Sequence, residues 1–243
     1  MRAVIVDDER LARNELRRMI EAAGSVELVG EAKNAAEAVE LIDRLRPELV
    51  FLDIQMPDAD GFELLERLDA APFVIFTTAF DHYALRAFEV SALDYLVKPV
   101  VPERLAAALA KAAAWQRAQP SPAAAPAGPE HALARGQRIF VRDGDRCWFV
   151  PVEQILLIES EGNHARLWFG DQRPLIPRSL NSIEERLDPA LFFRANRRQI
   201  INTEAIESLV PWPNDGYLVK LTGGIEVEMS RRQARVFLAT RRF

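Results

Sequence analysis

The 243-residue sequence has little cysteine and no long apolar run. Cys147 is its one cysteine, so no disulfide can form within the chain. No run of about 18 consecutive apolar residues occurs, which argues against a transmembrane helix. Acidic residues from Asp7 onward argue against a secretory signal. These absences predict a soluble protein of a reducing compartment, the cytoplasm, with no membrane partner.

The second half of the chain also lacks the patterns of common enzyme active sites. It has no His or Cys cluster at metal-binding spacing, no nucleophile elbow and no glycine-rich phosphate loop. Its charge differs from that of the first half. Acids exceed bases by 21 to 14 in residues 1–118, whereas bases exceed acids by 17 to 15 in residues 119–243. The two halves are therefore expected to meet different partners.

Residues 119–136 are rich in Pro, Ala and Gly and are predicted to form a flexible linker. Before them, in residues 1–118, apolar runs alternate with amphipathic segments. This alternation predicts an α/β fold with a doubly wound, five-stranded parallel sheet and helices on both faces. The predicted strands are 2–6, 26–31, 48–52, 73–77 and 93–97, and the predicted helices are 9–22, 34–45, 60–68, 81–89 and 102–117.

After the linker, residues 137–243 show short strands separated by turns that contain Gly, Asn and Asp. This pattern predicts a mainly antiparallel β domain. Helix is predicted only for residues 179–187, where Ser182 and Glu185 have the spacing of a capping box, and for the last dozen residues. In the strand around Cys147, that residue is expected to be a half-buried filler rather than a redox sensor.

Polar residues end several predicted strands of the first domain. Asp7 and Asp8 follow the first strand, Asp53 the third, Thr78 the fourth and Lys98 the fifth. Ligands of such sheets bind at the carboxyl ends of the strands, so these side chains should share one pocket. Crowded carboxylates repel each other unless a cation neutralises them, and oxygen ligands favour Mg²⁺. A carboxylate beside Mg²⁺ and Lys98 can attack phosphorus, which would yield an aspartyl phosphate on Asp53.

Three other interpretations compete with this one. The acid pair after the first strand could cap the helix that starts near Glu9. The segment DADG at 58–61 has the look of a calcium loop but lacks the glutamate at its twelfth position. An aspartate-based phosphohydrolase would need a second acid two residues after Asp53, where Gln55 stands.

Taken together, the motifs of residues 1–118 resemble the receiver domain of two-component response regulators. The resemblance is carried by VIVDDE (4–9), DIQMPDADG (53–61), TTA (77–79) and YLVKP (95–99). It implies phosphotransfer from a sensor histidine kinase to one aspartate, with catalysis limited to self-phosphorylation and slow dephosphorylation. The chain is therefore not expected to be an enzyme in the wider sense.

The same resemblance assigns roles to single residues. It implies that Mg²⁺ is held by Asp7, Asp8, Asp53 and the backbone carbonyl of Gln55. It further implies that Thr78, in preference to Thr77, binds a phosphoryl oxygen, that Tyr95 moves inward behind it, and that the Lys98-Pro99 peptide is cis.

Arginine is the distinctive residue of the second domain and makes up 16 of its 17 basic residues. It is bunched in RANRRQ (194–199), SRRQAR (230–235) and the terminal Arg241-Arg242. Arginine binds phosphates and guanine edges through two hydrogen bonds, so such clusters suit DNA contact. A solvated charged face would have the same composition.

The order of segments in this domain resembles the LytTR DNA-binding domain, whose largely β fold presents loops to the major groove. The matching segments are IESEGNHARLWF, IPRSLNSIEERL, FFRANRRQIINTEAIESL and GGIEVEMSRRQAR. The resemblance implies base contacts from His164, Arg197 and Arg231, flanking contacts from Asn163, Asn196 and Arg198, and phosphate contacts from Arg194 and Arg232. The family usually has His at position 196, where Asn could pair with adenine instead.

The sequence thus predicts a transcription factor controlled by phosphorylation. Phosphorylated Asp53 would favour a homodimer through residues 81–89, 93–97 and 102–117, and this dimer would bind double-stranded promoter DNA. A basic β module that binds RNA or a protein partner is the alternative. RNA is disfavoured because the aromatic residues of the β domain form adjacent pairs rather than a base-stacking ladder.

Overall fold

The computed structural model describes residues 1–79, 92–118, 133–213 and 215–240. Contacts between residues divide this chain into two compact units. The first holds the described residues up to 118 together with 138–140 and 144–149, and the second holds 133–137, 141–143 and 150–240. The predicted helix at 81–89 and the predicted linker up to residue 132 lie outside the described residues.

The first unit is built on a parallel sheet. Its strands are β1 (Arg2–Val6), β2 (Glu27–Ala32), β3 (Leu49–Asp53), β4 (Phe73–Thr78) and β5 (Asp94–Val97), and its described helices are α1 (Arg10–Ala23), α2 (Ala35–Leu45), α3 (Gly61–Arg67) and α4 (Pro102–Ala118). The strands pair in parallel in the order β2-β1-β3-β4-β5. The predicted doubly wound sheet is confirmed.

Side chains alternate between two apolar clusters along each strand of this sheet. In β1, Val4 and Val6 belong to the cluster covered by α2 and α3, while Ala3 and Ile5 belong to the cluster covered by α1 and α4. Because both faces are buried, the strands appear in the sequence as continuous apolar runs. Polar residues are left to the strand ends, where the sheet opens.

Local sequence sets the starts of the helices. α2 begins after Asn34, whose side chain accepts a hydrogen bond from the amide three residues on. α3 begins with a capping box formed by Asp60 and Glu63. α1 has Glu9 as its N-cap and no side-chain cap hydrogen bond. The acid pair after β1 therefore does not serve as its N-cap.

The second unit is mainly antiparallel, as predicted. Its chain contains β8 (Leu157–Glu161), β9 (His164–Trp168), β10 (Leu175–Ile176), α5 (Leu180–Glu184), β11 (Phe192–Arg194), β12 (Gln199–Asn202), β13 (Ile206–Trp212), β14 (Gly216–Leu221), β15 (Ile225–Met229) and α6 (Arg231–Thr240), and strands β6 (Arg138–Asp143) and β7 (Arg146–Pro151) are shared with the first unit. One sheet has the order β10-β9-β8-β12-β11 and another β13-β14-β15. All pairs within these two sheets are antiparallel.

The helices of this unit differ from prediction in one detail. The expected capping box of Ser182 and Glu185 is wrong, because the N-cap of α5 lies three residues before Ser182. Its N-cap is Ser179, whose hydroxyl accepts a hydrogen bond from the amide of Ser182 at 3.2 Å. α6 packs into the core through Phe237, whose ring lies edge-on to Phe193 at 5.0 Å between centroids.

Two expectations about the whole chain can be compared with this fold. None of the helices in the described ranges is long and apolar enough to cross a membrane. Cys147 is buried, more deeply than the half-buried position expected, and it lies in an apolar cluster of the first unit together with Phe149.

Candidate functional site

Charged side chains converge at the carboxyl edge of the parallel sheet. Asp7 follows β1, Asp53 ends β3, and Lys98 follows β5. The ammonium Nζ of Lys98 lies 2.8 Å from Oδ2 of Asp7 and 2.6 Å from Oδ2 of Asp53. One carboxylate oxygen from each of Asp7, Asp8 and Asp53 lies within 4.8 Å of the other two. Strand order reverses between β1 and β3, which is where ligands of doubly wound sheets bind.

Burial and charge act in opposite directions on this cluster. Burial raises the pKa of the Asp53 carboxyl, and the nearby carboxylate of Asp7 adds to the rise, while Lys98 and the Gln55 amide oppose it. Burial alone would lower the pKa of Lys98, but hydrogen bonds and charges from the two carboxylates outweigh it and the pKa is raised. Lys98 faces two carboxylates, whereas Asp53 faces one ammonium and another acid. The pocket therefore holds excess negative charge that a cation can neutralise.

Backbone groups complete the surroundings of Asp53. The backbone amide of Gln55 donates a hydrogen bond to Oδ1 of Asp53 at 3.1 Å. α3 begins so close to the end of β3 that a Cβ on Gly61 would lie 2.7 Å from the Asp53 carbonyl oxygen. Glycine is thus required where α3 approaches the strand. The set of carboxylate and carbonyl oxygens suits a hard divalent cation.

The predicted switch residues occupy neighbouring strands. Thr78 is fully buried at the end of β4, and its carbonyl accepts a hydrogen bond from the amide of Lys98 at 2.7 Å. Tyr95 in β5 is half-buried and packs against the apolar cluster that α2 and α3 cover. The Lys98-Pro99 peptide is cis, as the resemblance implies.

Sequence reasoning missed Arg13, which braces the acid pair. Its Nη1 donates hydrogen bonds to the carbonyl oxygens of Asp7 at 2.6 Å and Asp8 at 3.1 Å, and its Nε lies 3.5 Å from Glu31. The bonds go to main-chain atoms, so no pattern of side chains indicates them. The position of Arg13 one turn into α1 was the available signal.

Asp94 was also missed. Its buried carboxylate lies 2.9 Å from Lys111 Nζ and 3.3 Å from Arg104 Nη2, and Arg104 also donates to the carbonyl of Tyr95 at 3.2 Å. The seven-residue spacing of the two bases, which places them on one face of α4, could have indicated a partner acid on the sheet.

The predicted DNA-contacting residues lie on loops of the second unit. His164 and Asn163 are exposed at the turn between β8 and β9. Arg197 and Arg198 are exposed between β11 and β12, and Arg231 opens α6 with its Nη1 3.3 Å from Asp215. Arg232 is exposed beside it.

A groove of about 620 Å³ brings part of this set together. Asn196, Arg197, Arg198 and Arg231 line it, whereas the lining does not include His164, Asn163, Arg194 or Arg232. Trp212, which sequence reasoning missed, lines the same groove and is 42% exposed. The acidic residues Glu159, Glu226 and Glu228 line it as well. Basic and acidic groups therefore meet at the same surface.

Comparison with known proteins identifies both halves of the chain. A family model of the response regulator receiver domain matches residues 3–110, and one of the LytTr DNA-binding domain matches residues 145–240. The chain is 36% identical over 243 residues to the sensory transduction protein LytT of Enterococcus faecalis, covering 98% of this chain and 97% of that protein. It is 33% identical to the transcriptional regulatory protein LytR of Staphylococcus aureus strain MW2, with coverage of 99% and 98%.

Solved structures match one half each. The response regulatory domain of protein mrkE from Klebsiella pneumoniae is 34% identical, with 48% of this chain and 99% of that chain covered and a TM-score of 0.44. The LytTr DNA-binding domain of a putative methyl-accepting/DNA response regulator from Bacillus cereus is 20% identical, with 42% and 94% covered and a TM-score of 0.40. On the family models and the full-length relatives, the chain belongs to the two-component response regulators that join a receiver domain to a LytTR DNA-binding domain.

Proposed function

We propose that Asp53 accepts a phosphoryl group from a sensor histidine kinase in a Mg²⁺-dependent reaction, and that this event controls sequence-specific binding of promoter DNA by the second domain. The observation that carries the proposal is the bridge from Lys98 to both Asp7 and Asp53 at the end of adjacent parallel strands. A structural ion pair would need one carboxylate. Two carboxylates at one ammonium, with the carboxylate of Asp8 close to both, leave negative charge that suits a metal and an incoming phosphoryl group.

In this proposal, Asp7, Asp8, Asp53 and the carbonyl of Gln55 hold Mg²⁺, which would neutralise charge on the transferring phosphoryl group. A carboxylate oxygen of Asp53 forms the new bond to phosphorus as the bond from phosphorus to the histidine nitrogen of the kinase breaks. Lys98 places its positive charge where phosphoryl oxygens arrive. The backbone amide of Gln55 orients the nucleophile through its hydrogen bond to Oδ1 of Asp53.

Thr78 ends β4, the strand next to the one that Asp53 ends, and its hydroxyl would donate a hydrogen bond to the bound phosphoryl group. The movement of Thr78 would open space for the Tyr95 ring. Inward movement of Tyr95 would then shift the population toward a form that self-associates. The surface proposed for self-association combines β5 and α4 with residues 81–89, which lie outside the described residues.

On the DNA side, the exposed arginines at 197, 198, 231 and 232 and the turn at 163–164 are proposed to approach the duplex. Support comes from their exposure on loops and from the match to a DNA-binding family model, which favours DNA over RNA. A dimer would place two such surfaces on neighbouring half-sites, so that phosphorylation and DNA binding promote each other.

Phosphorylation is tested with the purified full-length chain, Mg²⁺ and a small acyl-phosphate donor. We expect a hydroxylamine-labile label on the wild type and none on Asp53→Asn. Asp43→Asn, which changes an exposed acid on α2, is the matched control and should label normally. Operator affinity is then measured for each variant with and without the donor. Unlabelled wild type, or equal affinity under all conditions, would contradict the proposal.

A further inference from the structure

Arg194 was expected to contact phosphate, but its guanidinium is used inside the protein. Its Nε donates to the carbonyl of Asn196 at 2.8 Å and its Nη2 to the carbonyl of Arg197 at 2.6 Å. Its Nη1 donates to Glu184 at 2.6 Å and to Asn181 at 3.2 Å, both on α5. The side chain is only 17% exposed. These four bonds leave little of the five-donor fork for a ligand, and Glu184 balances its charge.

Asn196 is engaged in the same way. Its Nδ2 donates to Oε1 of Gln199 and to the carbonyl of Glu228, both at 2.8 Å. Its Oδ1 accepts a hydrogen bond from the amide of Arg198 at 2.8 Å. Pairing with adenine needs the same donor and acceptor, so Asn196 could read a base only by releasing the turn that it closes.

The neighbours of these two residues differ from them. Among the residues that the structure describes, no hydrogen bond or ion pair engages the guanidinium groups of Arg197, Arg198 or Arg232, and all three residues are exposed. Their charges are available to a polyanion. We define the reading loop as residues 195–198: Asn196 is engaged within the protein, and the two arginines that follow it face outward.

The bonds of Asn196 also join the reading loop to the start of α6. Glu228 lies in β15 three residues before Arg231, and the amide of Ser230 donates to the carbonyl of Ala195 at 3.4 Å. The loop that carries Arg197 and the helix start that carries Arg231 are thereby held to one another. Two contact points with a fixed separation can match the fixed spacing of groups in a DNA groove.

From these contacts we infer that Arg194 and Asn196 are positioning residues that lock the reading loop, and that Arg194 does so as a clamp anchored on Glu184 rather than as a phosphate contact. The inference rests on the proposed function for the identity of the ligand, double-stranded DNA. It assigns the direct contacts in this region to Arg197, Arg198 and Arg231. It also gives α5 a role, since Glu184 and Asn181 hold the clamp from behind.

Charge-conserving variants separate the two roles. Lysine keeps the charge of a phosphate contact but cannot bridge four acceptors. For the clamp we expect Arg194→Lys and Arg194→Ala to weaken duplex binding alike, by about tenfold, the size of one lost base contact. The slope of log affinity against log salt should stay unchanged. For the control position, Arg232→Ala should lower that slope by about 0.9 and Arg232→Lys should restore it.

Binding is measured by KCl titration on a duplex selected from a random-sequence pool with the wild-type chain. Glu184→Gln provides a milder variant in case the changes at position 194 disturb folding, and it should weaken binding in the same direction. The effects of Glu184→Gln and Arg194→Lys should not add, because both release the same clamp.

Amide hydrogen exchange on the full chain without DNA gives a second readout. The amides of Ala195 and Arg198 should exchange faster in Arg194→Lys and Glu184→Gln than in wild type, and at the wild-type rate in Arg232→Ala. Wild-type exchange in Arg194→Lys, or wild-type affinity in that variant, would overturn the inference. Absence of any salt-dependent duplex binding by the wild type would instead refute the proposed function, and exchange alone would then decide whether Arg194 locks the loop.

Discussion

The acidic pocket around Asp53 and the reading loop use basic residues in opposite ways. In the pocket the positive charge is half-buried and turned inward, with Lys98 held between Asp7 and Asp53. In the loop the charges of Arg197 and Arg198 face outward, and their geometry depends on a separate internal arginine. Strand topology positions the first site, whereas side-chain hydrogen bonds to the main chain position the second. Substitutions at the two sites should therefore impair the protein in different ways.

The largest effect is expected at Lys98. Lys98→Ala removes the only cation that lies between two of the pocket acids in the described structure, so phosphotransfer to Asp53 should slow by about 10²–10³-fold. The measurement is the rate of acyl-phosphate labelling in saturating Mg²⁺. Lys33→Ala, which removes an exposed lysine paired with Glu37, is the control and should label at the wild-type rate. A slowing of less than tenfold would show that Lys98 is a structural partner of the acids.

A substitution in the reading loop should have a smaller effect than Lys98→Ala and should leave phosphorylation of Asp53 intact. Arg197→Ala is expected to weaken duplex binding by about 1–3 kcal/mol and to relax the preference at the base it reads. Competition binding with single-base variants of the selected duplex measures both effects. Arg10→Ala, an exposed arginine of the first unit, should leave them unchanged. A uniform loss over all sequences would reassign Arg197 to the phosphate backbone.

A third change tests how tightly topology holds the pocket. The Cβ of Gly61→Ala would lie 2.7 Å from the carbonyl oxygen of Asp53, a main-chain atom that cannot move without shifting the nucleophile. The free energy of unfolding should fall by about 1–3 kcal/mol, and labelling of Asp53 should slow with it. Thermal denaturation and the labelling rate provide the two measurements. Normal stability with normal labelling would mean that α3 can move away from β3 at little cost.

The comparison also explains what could be predicted from sequence. The convergence of Asp7, Asp53 and Lys98 was predictable because the ends of parallel strands meet at one edge whatever the loops do. The separate roles of Arg194 and Arg197 were not, since both are arginines in one cluster and differ only in the acceptor groups that the fold brings near them. For Arg194 these are two main-chain carbonyls and two side chains of α5. Arg13 was missed because it binds main-chain carbonyl oxygens, those of Asp7 and Asp8, which no pattern of side chains indicates.

Helix boundaries show a similar division. The Asp60 capping box at the start of α3 lies beside a strongly patterned strand, and the predicted helix starts at the residue that caps it. For α5 two serines three residues apart both fit a cap. The capping box expected at Ser182 and Glu185 was wrong, because Ser179 caps the helix. Local chemistry allowed both, and the packing of Leu180 and Ile183 into the core decided between them.

The smallest expected effect is a pH dependence of stability that originates in the pocket. The pKa of Asp53 is raised in the folded protein because burial and Asp7 outweigh Lys98, so the folded state favours the protonated acid. The contribution of Asp53 to stability is thus fully present below its unfolded pKa of about 3.9 and is lost as pH rises through the raised value. The amide side chain in Asp53→Asn carries no charge, so this variant does not lose that stability as pH rises. Without added metal it should melt at a higher temperature than wild type at pH 7.

That difference in melting temperature should shrink as pH falls through the raised pKa of Asp53. Asp43→Asn should follow the wild-type curve throughout. Mg²⁺ should reverse the order, because an ion that binds the carboxylates stabilises the wild type by mass action and binds the amide variant less. If Asp53→Asn melts below wild type at pH 7 in the absence of metal, the Lys98 bridge outweighs burial. The pocket would then be stabilised by its ion pairs before any phosphoryl group arrives, and its likeness to an ordinary buried salt bridge would be closer than its contrast with the reading loop suggests.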